Sequence, residues 1–140
     1  MTDVGPSVTV DSSVVIAGFA SWHEFHGIAR KALSRRPRLV AHAAVEAYSV
    51  LTRLPPPHRA QPGIVHEFLT SRFPDPYLTL SDVGYQELLA TAAAGQLLGG
   101  QTYDALIACT AAEHAATLLS LDRRATITYE TIGVSVEYLG

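Results

Sequence analysis

Four acidic residues occupy positions where a small α/β domain normally places apolar or neutral side chains: Asp11, Glu46, Asp104 and Asp122. Asp11 and Asp122 each follow a short apolar or β-branched segment typical of a buried strand. Glu46 and Asp104 lie in alanine-rich segments whose neighbours at three and four positions are mostly small and apolar. A carboxylate in such surroundings is desolvated unless something compensates its charge. The pattern indicates a cation site and suggests a metal-dependent phosphodiesterase.

If these four acids lie close together in the fold, their mutual repulsion favours the binding of a metal cation among them. At separations of about 5 Å, each ionised pair repels by about 3 kcal/mol at an effective dielectric constant of about 20. Several such pairs would rival the whole stability of a domain, roughly 5 to 15 kcal/mol. Carboxylate oxygens favour Mg²⁺ or Mn²⁺ over zinc, and these ions activate water and stabilise charge on a phosphodiester.

Each acid also has a simpler interpretation. The two acids that follow strands could be the N-caps of helices. Glu46 and Asp104 could instead pair with arginines such as Arg53 or Arg124. Both interpretations stay open, because the four positions do not form a short metal-ligand motif.

Length and composition limit the class of protein. With 140 residues, 48% of them hydrophobic, the chain fits one domain spanning residues 1–140. The longest apolar runs fall short of the roughly 20 residues that span a bilayer. Residues 1–7 carry no Lys or Arg of the kind that begins a secretory signal, so we expect a cytoplasmic protein. The net charge of −3 argues mildly against nucleic-acid binding by bulk electrostatics.

Half of the basic residues lie close together. Five of the ten fall within nine positions: Arg30, Lys31, Arg35, Arg36 and Arg38. They predict either a basic patch that holds phosphates or the solvated end of a helix near its negative pole. The sequence alone does not separate the two.

Apolar periodicity predicts strands that alternate with helices. The predicted strands are residues 8–10, 38–41, 77–80, 117–121 and 134–137. The predicted helices are one that follows Asp11, then residues 22–33, 43–54, a helix from Pro62 to the break at residues 73–76, a helix capped by Ser81 or Asp82 that runs to residue 94, and residues 101–116.

This alternation predicts a three-layer α/β/α domain with a central parallel sheet of four to five strands. Ligands of such sheets bind in the crevice at the carboxyl ends of the strands. Asp11 and Asp122 would both lie at that edge.

The segments around the four acids carry a more specific signal. They read VTVDSS at residues 8–13, AVEAY around Glu46, YDALIA at residues 103–108 and LSLDRRA at residues 119–125. Together they resemble the PIN-domain ribonucleases, specifically the VapC toxins of bacterial toxin–antitoxin pairs. The likeness extends over nearly the whole chain, including TRLP at residues 52–55 and the closing Gly133-Val134.

The resemblance implies a metal-dependent endoribonuclease with a PIN-like fold. Asp11 and Asp104 would be the main ligands of Mg²⁺ or Mn²⁺, and Glu46 and Asp122 would complete the site directly or through water. Ser12 and Ser120 match hydroxyl positions that orient a carboxylate, a water or a phosphate. The other four positions all carry an acid, so nothing in the pattern suggests an inactive member.

The resemblance also implies partners. The substrate would be single-stranded or looped RNA, whose exposed bases a protein reads more easily than a duplex. The protein would be a homodimer silenced by a VapB-type antitoxin, whose C-terminal segment lies across the active-site groove. An acidic groove suits a basic inhibitor segment.

Two other functions remain as alternatives. One is a non-catalytic RNA- or protein-binding module in which the acids hold a structural cation and the Arg30 to Arg38 patch makes the contacts. The other is a small phosphatase on the same sheet, but Asp11 is followed by Ser12-Ser13 where an Asp-x-Asp motif would be needed. For the nuclease, we expect Asp11→Asn or Asp104→Asn to abolish cleavage and leave the fold intact.

Overall fold

The structure, a computed structural model, describes residues 7–140. Residues 1–6, part of the segment predicted to lack a secretory signal, lie outside it. The strands are β1 (Val8–Val10), β2 (Arg38–Leu39), β3 (Thr117–Ser120) and β4 (Val136–Tyr138). The helices are α1 (Ser12–Phe19), α2 (His26–Leu33), α3 (Ala41–Arg53), α4 (Pro62–Arg72), α5 (Asp82–Ala94), α6 (Gln101–Glu113) and α7 (Arg123–Ile132).

The four strands form one parallel sheet in the order β2-β1-β3-β4. The two central strands are β1 and β3, with Val10 beside Leu119. Both residues are fully buried, as expected where helices cover both faces of a sheet. Helix α1 packs against both α2 and α3, and α3 packs against α4; α6 packs against both α5 and α7. The predicted three-layer α/β/α fold is confirmed.

The predicted strand at residues 77–80 is wrong. Only Leu78 pairs there, in an isolated parallel bridge with Val40. The amide of Leu78 donates to Leu39 O at 2.8 Å, and its carbonyl accepts from Ala41 N at 2.9 Å. Pro76 precedes the segment and Ser81 caps α5 directly after it, so the extended stretch has no room to lengthen.

The predicted helix 22–33 begins later, at His26. The reason is local: the Nδ1 atom of His23 accepts a hydrogen bond from the Phe25 amide at 3.1 Å. Such a side-chain bond offers the backbone an alternative to the helix. The other boundaries agree with the prediction or shift by at most three residues. The strand predicted at 38–41 ends at Leu39 because Ala41 already begins α3.

Helix α7 was not among the predicted helices, although the N-cap interpretation of Asp122 implies one. Asp122 caps it, since its Oδ1 accepts from the amides of Arg124 at 3.0 Å and Ala125 at 3.1 Å. Gly133 ends the helix with a left-handed φ of 90°, a conformation that glycine adopts without strain. None of the helices within residues 7–140 is long and apolar enough to cross a membrane.

Candidate active site at the carboxyl edge of the sheet

The carboxyl ends of β1 and β3 position two of the acids. Asp11 follows β1 directly, and its amide extends the pairing by donating to Leu119 O at 3.2 Å. Asp122 lies two residues after Ser120, the last residue of β3. Because β1 and β3 are parallel neighbours, both acids lie at the same edge of the sheet, as predicted.

The other two acids come from helices that contact each other. Glu46 is in the middle of α3, and Asp104 is in the first turn of α6. Together with Asp122 they line a cavity of about 490 Å³. The remaining lining residues are Leu98, Gly100, Gln101, Arg124, Ala125 and Thr128.

Asp11 lies beneath this cavity and is only 2% exposed. Its Oδ1 accepts from the Ser13 amide at 3.0 Å, the Ser13 hydroxyl at 2.5 Å and the Val14 amide at 3.3 Å. Its Oδ2 accepts from the hydroxyls of Ser120 at 2.6 Å and Tyr129 at 2.8 Å. Burial raises the pKa of this carboxyl, although the hydrogen bonds oppose the rise.

Asp104 is half-buried and shows how the acids influence one another. Its pKa is raised from 3.8 to about 6, first by burial and then by the charges of Asp122, Glu46 and Asp11, in that order of importance. The same coupling places all four carboxylates within electrostatic reach of one another. No hydrogen bond to the Asp104 side chain was found within residues 7–140, so both of its oxygens are free for a ligand.

The two predicted serines each orient one carboxylate. The hydroxyl of Ser12 donates to Glu46 Oε1 at 2.8 Å. The buried hydroxyl of Ser120 donates to Asp11 and accepts from the Asp122 amide at 3.0 Å. Each serine therefore sets the direction of a carboxylate instead of pointing a free hydroxyl at a substrate.

Two residues that the sequence reasoning missed complete this network. Ser13 donates to Asp11 and accepts from the Leu121 amide at 2.9 Å, which joins the ends of β1 and β3. Tyr129 is 1% exposed and reaches Asp11 from α7. Its pKa is raised well above the ordinary range by burial, by the charge of Asp11 and by the hydrogen bond itself. The spacing of Ala125, Thr128, Tyr129 and Ile132 is compatible with one face of a helix, but it does not indicate that the Tyr129 hydroxyl meets Asp11.

A stacked aromatic pair lies beside the acids. The rings of His42 and Tyr103 have centroids 5.2 Å apart and planes 9° apart. His42 lies one turn before Glu46 on α3, and Tyr103 precedes Asp104 on α6. The stack therefore links the first turns of the two helices that carry these carboxylates.

The simpler interpretations of the acids hold only in part. Asp11 and Asp122 do cap α1 and α7. Glu46 and Asp104, however, pair with no arginine: in the described part of the chain the one salt bridge joins Arg35 to Glu137 at 3.5 Å. Arg53 instead donates to the hydroxyl of Ser49 at 2.6 Å.

The basic patch is largely engaged in local contacts. Arg38 donates to the carbonyl of Pro76 through two of its nitrogens, Arg35 pairs with Glu137, and Arg30 reaches the carbonyl of Gly18 at 3.5 Å. Lys31 and Arg36 are exposed. These contacts favour the interpretation of the patch as a solvated helix end.

The four acids do not form a finished metal cage. Among residues 7–140, no three His, Cys, Asp or Glu side chains lie close enough together to hold an ion directly. The donor set nevertheless suits Mg²⁺, which keeps several waters and needs few protein carboxylates. Within residues 7–140, the hydrogen bonds to Glu46 and Asp122 engage only Glu46 Oε1 and Asp122 Oδ1. Glu46 Oε2, Asp122 Oδ2 and both oxygens of Asp104 are therefore free for a ligand.

A second cavity, of about 360 Å³, lies between α5 and α6 and is lined in part by Cys109, Glu87 and Glu113. Both oxygens of Glu113 accept hydrogen bonds from Ser81, from its hydroxyl at 2.7 Å and its amide at 3.0 Å. That glutamate therefore holds the start of α5, and this cavity lacks the cluster of free carboxylates found at the sheet edge.

Comparison with known proteins agrees with this fold. Residues 8–130 match the PIN domain family. Ribonuclease VapC40 of Mycobacterium tuberculosis is 50% identical over 130 residues, which cover 93% of this chain and 97% of that protein. Ribonuclease VapC27 of the same organism is 42% identical over 132 residues, covering 94% and 96%.

Two solved structures share the fold at low sequence identity. The crystal structure of FitAcB from Neisseria gonorrhoeae has a TM-score of 0.67 and 18% identity, and the match covers 92% of this chain and 95% of that one. FitAB bound to an IR36 DNA fragment gives a TM-score of 0.69, 15% identity and 94% coverage of both chains. With half of its residues identical to a VapC ribonuclease along almost its whole length, the chain belongs to the PIN domain family and, within it, to the VapC proteins.

Proposed function

We propose that this protein is a metal-dependent endoribonuclease that hydrolyses RNA phosphodiester bonds, and that it acts as the toxin of a VapBC toxin–antitoxin pair. The observation that carries the proposal is the carboxylate cluster around Asp104, whose pKa is raised by burial and by the charges of the other three acids. Within residues 7–140, none of these acids forms a salt bridge with an arginine. Clustered acids with free oxygens at a sheet edge need a cation, and a cation beside a cavity suits a phosphodiester. The two curated relatives are both named ribonucleases.

The residues that would hold the ion are Asp104, Glu46 and Asp122 at the cavity, with Asp11 beneath them. A bound Mg²⁺ or Mn²⁺ would supply an activated water and stabilise the charge that builds on the phosphodiester. The chain's own contribution is orientation: Ser12 fixes Glu46, and Ser120 and Tyr129 fix Asp11. We retain Asp11 as a proposed ligand, although a direct bond to a metal would have to share oxygens that already accept five hydrogen bonds.

The metal is tested by cleavage of a structured RNA pool with purified protein free of any antitoxin. We expect cutting with Mg²⁺ or Mn²⁺ and none with EDTA, and activity should return when excess metal is added back. Equal cutting with and without EDTA would contradict the metal dependence. The same reactions without protein exclude metal-catalysed hydrolysis, and Asp104→Asn purified in the same way excludes a contaminating nuclease.

The antitoxin part of the proposal rests on charge. The cavity is lined by three carboxylates and one arginine, so a peptide segment that covers it would gain from basic side chains. We expect a VapB-type antitoxin to inhibit cleavage through such a segment. Inhibition should weaken as ionic strength rises, because screening shortens the reach of exposed charges. Inhibition that is insensitive to salt would favour a mainly apolar contact.

The proposed homodimer is supported by helix α5. It buries only a narrow stripe, Gly84, Leu88 and Ala92, and leaves Tyr85 and Leu89 exposed one turn apart on the adjacent face. Leu89 is 62% exposed and Tyr85 46%, so the two side chains form an apolar pair that a second copy would cover. We expect Leu89→Lys to convert a dimer into a monomer in light scattering coupled to size exclusion. A wild-type protein that is monomeric at tens of micromolar would contradict this.

The alternative, a non-catalytic binding module, gains some support from the absence of a three-carboxylate cage within residues 7–140. It predicts RNA binding that persists when Asp104 is neutralised, with no cutting under any metal condition. The metal series with Asp104→Asn beside the wild type therefore separates the two functions.

A further inference from the structure

Arg124 is the single basic residue among those that line the carboxylate cavity. It lies in the first turn of α7, two positions after Asp122. Its guanidinium group forms no salt bridge and no hydrogen bond that was found within residues 7–140, although three carboxylates line the same cavity. A cation beside acids that it does not pair with has its donors free for another anion.

The backbone fixes Arg124 relative to the acid cluster. Its amide donates to Asp122 Oδ1 at 3.0 Å, so the arginine and the carboxylate share one turn. The Ala125 amide also donates to Asp122 Oδ1, so these two backbone N–H groups at the start of α7 are already used. The positive group offered to the cavity is therefore the guanidinium side chain and not the helix N-terminus.

The neighbouring Arg123 has a different environment. Its guanidinium carbon lies 4.4 Å from the centroid of the Tyr138 ring, in a cation–π contact with strand β4. Arg123 is not among the residues that line the cavity. The two consecutive arginines therefore have different roles: Arg123 packs on Tyr138 of the edge strand β4, and Arg124 lines the cavity that contains the acids.

We propose that Arg124 binds a phosphate group of the RNA at this cavity, an inference that rests on the proposed nuclease function. The phosphodiester is an anion that must approach several carboxylates, so its binding needs positive charge beyond a metal ion. A guanidinium group presents a planar fork of donors that matches two phosphate oxygens. Arg124 supplies this fork at the cavity wall.

The contact makes a quantitative prediction for affinity. Loss of one charge-assisted contact weakens binding by roughly tenfold to a hundredfold. It also removes one phosphate neutralisation, so the slope of log affinity against log salt should fall by about 0.7 for a single-stranded nucleic acid. A residue with a purely structural role would not change that slope. Arg124 is exposed, so its replacement should leave the melting temperature nearly unchanged.

The test compares Arg124→Gln, Arg124→Lys and Arg123→Gln with the wild type. Affinity for a fluorescent single-stranded RNA pool is measured by anisotropy between about 50 and 200 mM salt, a range over which phosphate contacts are resolved. Ca²⁺ replaces Mg²⁺ in these titrations. It carries the same charge, but its longer and more variable ligand distances should slow cleavage, so that binding can be measured on intact RNA. We expect weaker binding and a shallower slope for Arg124→Gln, a slope near that of the wild type for Arg124→Lys, and no change for Arg123→Gln.

Two outcomes would overturn the inference. One is equal affinity and slope for Arg124→Gln and Arg123→Gln, since both lose one positive charge from the same turn. The other is an absence of RNA binding by the wild type. Cleavage in Mg²⁺ is scored separately: a wild-type protein that binds with the predicted Arg124 dependence but never cuts would support Arg124 as a phosphate contact and contradict the nuclease proposal.

Discussion

The hydroxyl of Tyr129 donates a hydrogen bond to Asp11 Oδ2 at 2.8 Å, joining two buried residues that are 118 positions apart in the chain. This bond ties helix α7 to the end of β1 beneath the cavity. A buried carboxylate that loses a donor bears an uncompensated desolvation cost. The network around Asp11 therefore holds the fold together as well as the site.

Tyr129→Phe should lower the free energy of unfolding by about 1 to 3 kcal/mol, the cost of leaving a buried acceptor short of a donor. The ring and its packing are kept, so the change isolates the hydroxyl. Chemical denaturation measures the effect. Tyr85→Phe, at an exposed position on α5, is the matched control and should change stability little. Equal stabilities for the two variants would show that the bond to Asp11 contributes nothing.

Ser13→Ala should destabilise the protein more than Ser12→Ala. Ser13 links Asp11 to the Leu121 amide and so joins the two central strands, whereas Ser12 makes one bond to the partly exposed Glu46. We expect a loss of about 1 to 3 kcal/mol for Ser13→Ala and about 1 kcal/mol or less for Ser12→Ala. Thermal melts of both variants provide the comparison. The reverse order would mean that the bridge between the strands is not a stabilising feature.

The structure changes what we expect of the two asparagine substitutions. An Asn at position 11 would turn an amide N–H₂ toward some of the five donors that now bond to Asp11. Asp11→Asn should therefore destabilise the fold by about 1 to 3 kcal/mol or more, contrary to the expectation from sequence. Asp104→Asn removes one charge from a repelling cluster, so the metal-free protein should be as stable as wild type or slightly more so. A lower melting temperature for Asp104→Asn would indicate a structural role for this carboxylate.

The raised pKa of Asp104 also predicts how stability depends on pH without metal. In the folded protein this carboxyl has a pKa of about 6, raised first by burial and then by Asp122, Glu46 and Asp11, against 3.8 ordinarily. The folded state binds the proton more tightly than the unfolded state, so stability is highest below the unfolded pKa and falls as pH rises through the folded one. Asp11, whose pKa is also raised, contributes with the same sign.

Melting temperatures in EDTA should therefore decline from about pH 4 to about pH 7, and the decline should be smaller for Asp104→Asn. Divalent metal should raise the wild-type melting temperature more at the upper end of this range than at the lower end, since only the ionised carboxylate binds it. Identical pH profiles for wild type and Asp104→Asn would contradict the assigned shift.

The sequence was sufficient to predict the sheet and the location of Asp11 and Asp122 at its carboxyl edge, but not the hydrogen-bond network around Asp11. Asp11 and Asp122 could be placed because they follow segments with clear strand character. The role of Tyr129 could not, since α7 contains Thr126, Thr128 and Thr131, and threonine has a low helix propensity. Its helix depends on the cap at Asp122 and on burial of Tyr129, which are tertiary features.

The error at residues 77–80 has a similar origin. Tyr77 to Leu80 alternates and is rich in residues that favour strands, but a strand also needs a partner over its length. Only Leu78 finds one, at Val40. The local pattern therefore predicted an extended backbone correctly, but no strand forms because the neighbouring β2 is too short to pair with the whole segment.

The most direct test of the central claim is the single-turnover rate of RNA cleavage in saturating Mg²⁺ or Mn²⁺ for Asp104→Asn, compared with Asp75→Asn. Asp75 is an exposed acid in the loop after α4, so the control loses the same charge away from the cavity. We predict that Asp104→Asn loses at least about a hundredfold in rate although in EDTA it melts at the wild-type temperature or slightly above, and that Asp75→Asn cuts normally. Cleavage by Asp104→Asn at the rate of the control would contradict the assignment of this cluster as the nuclease centre.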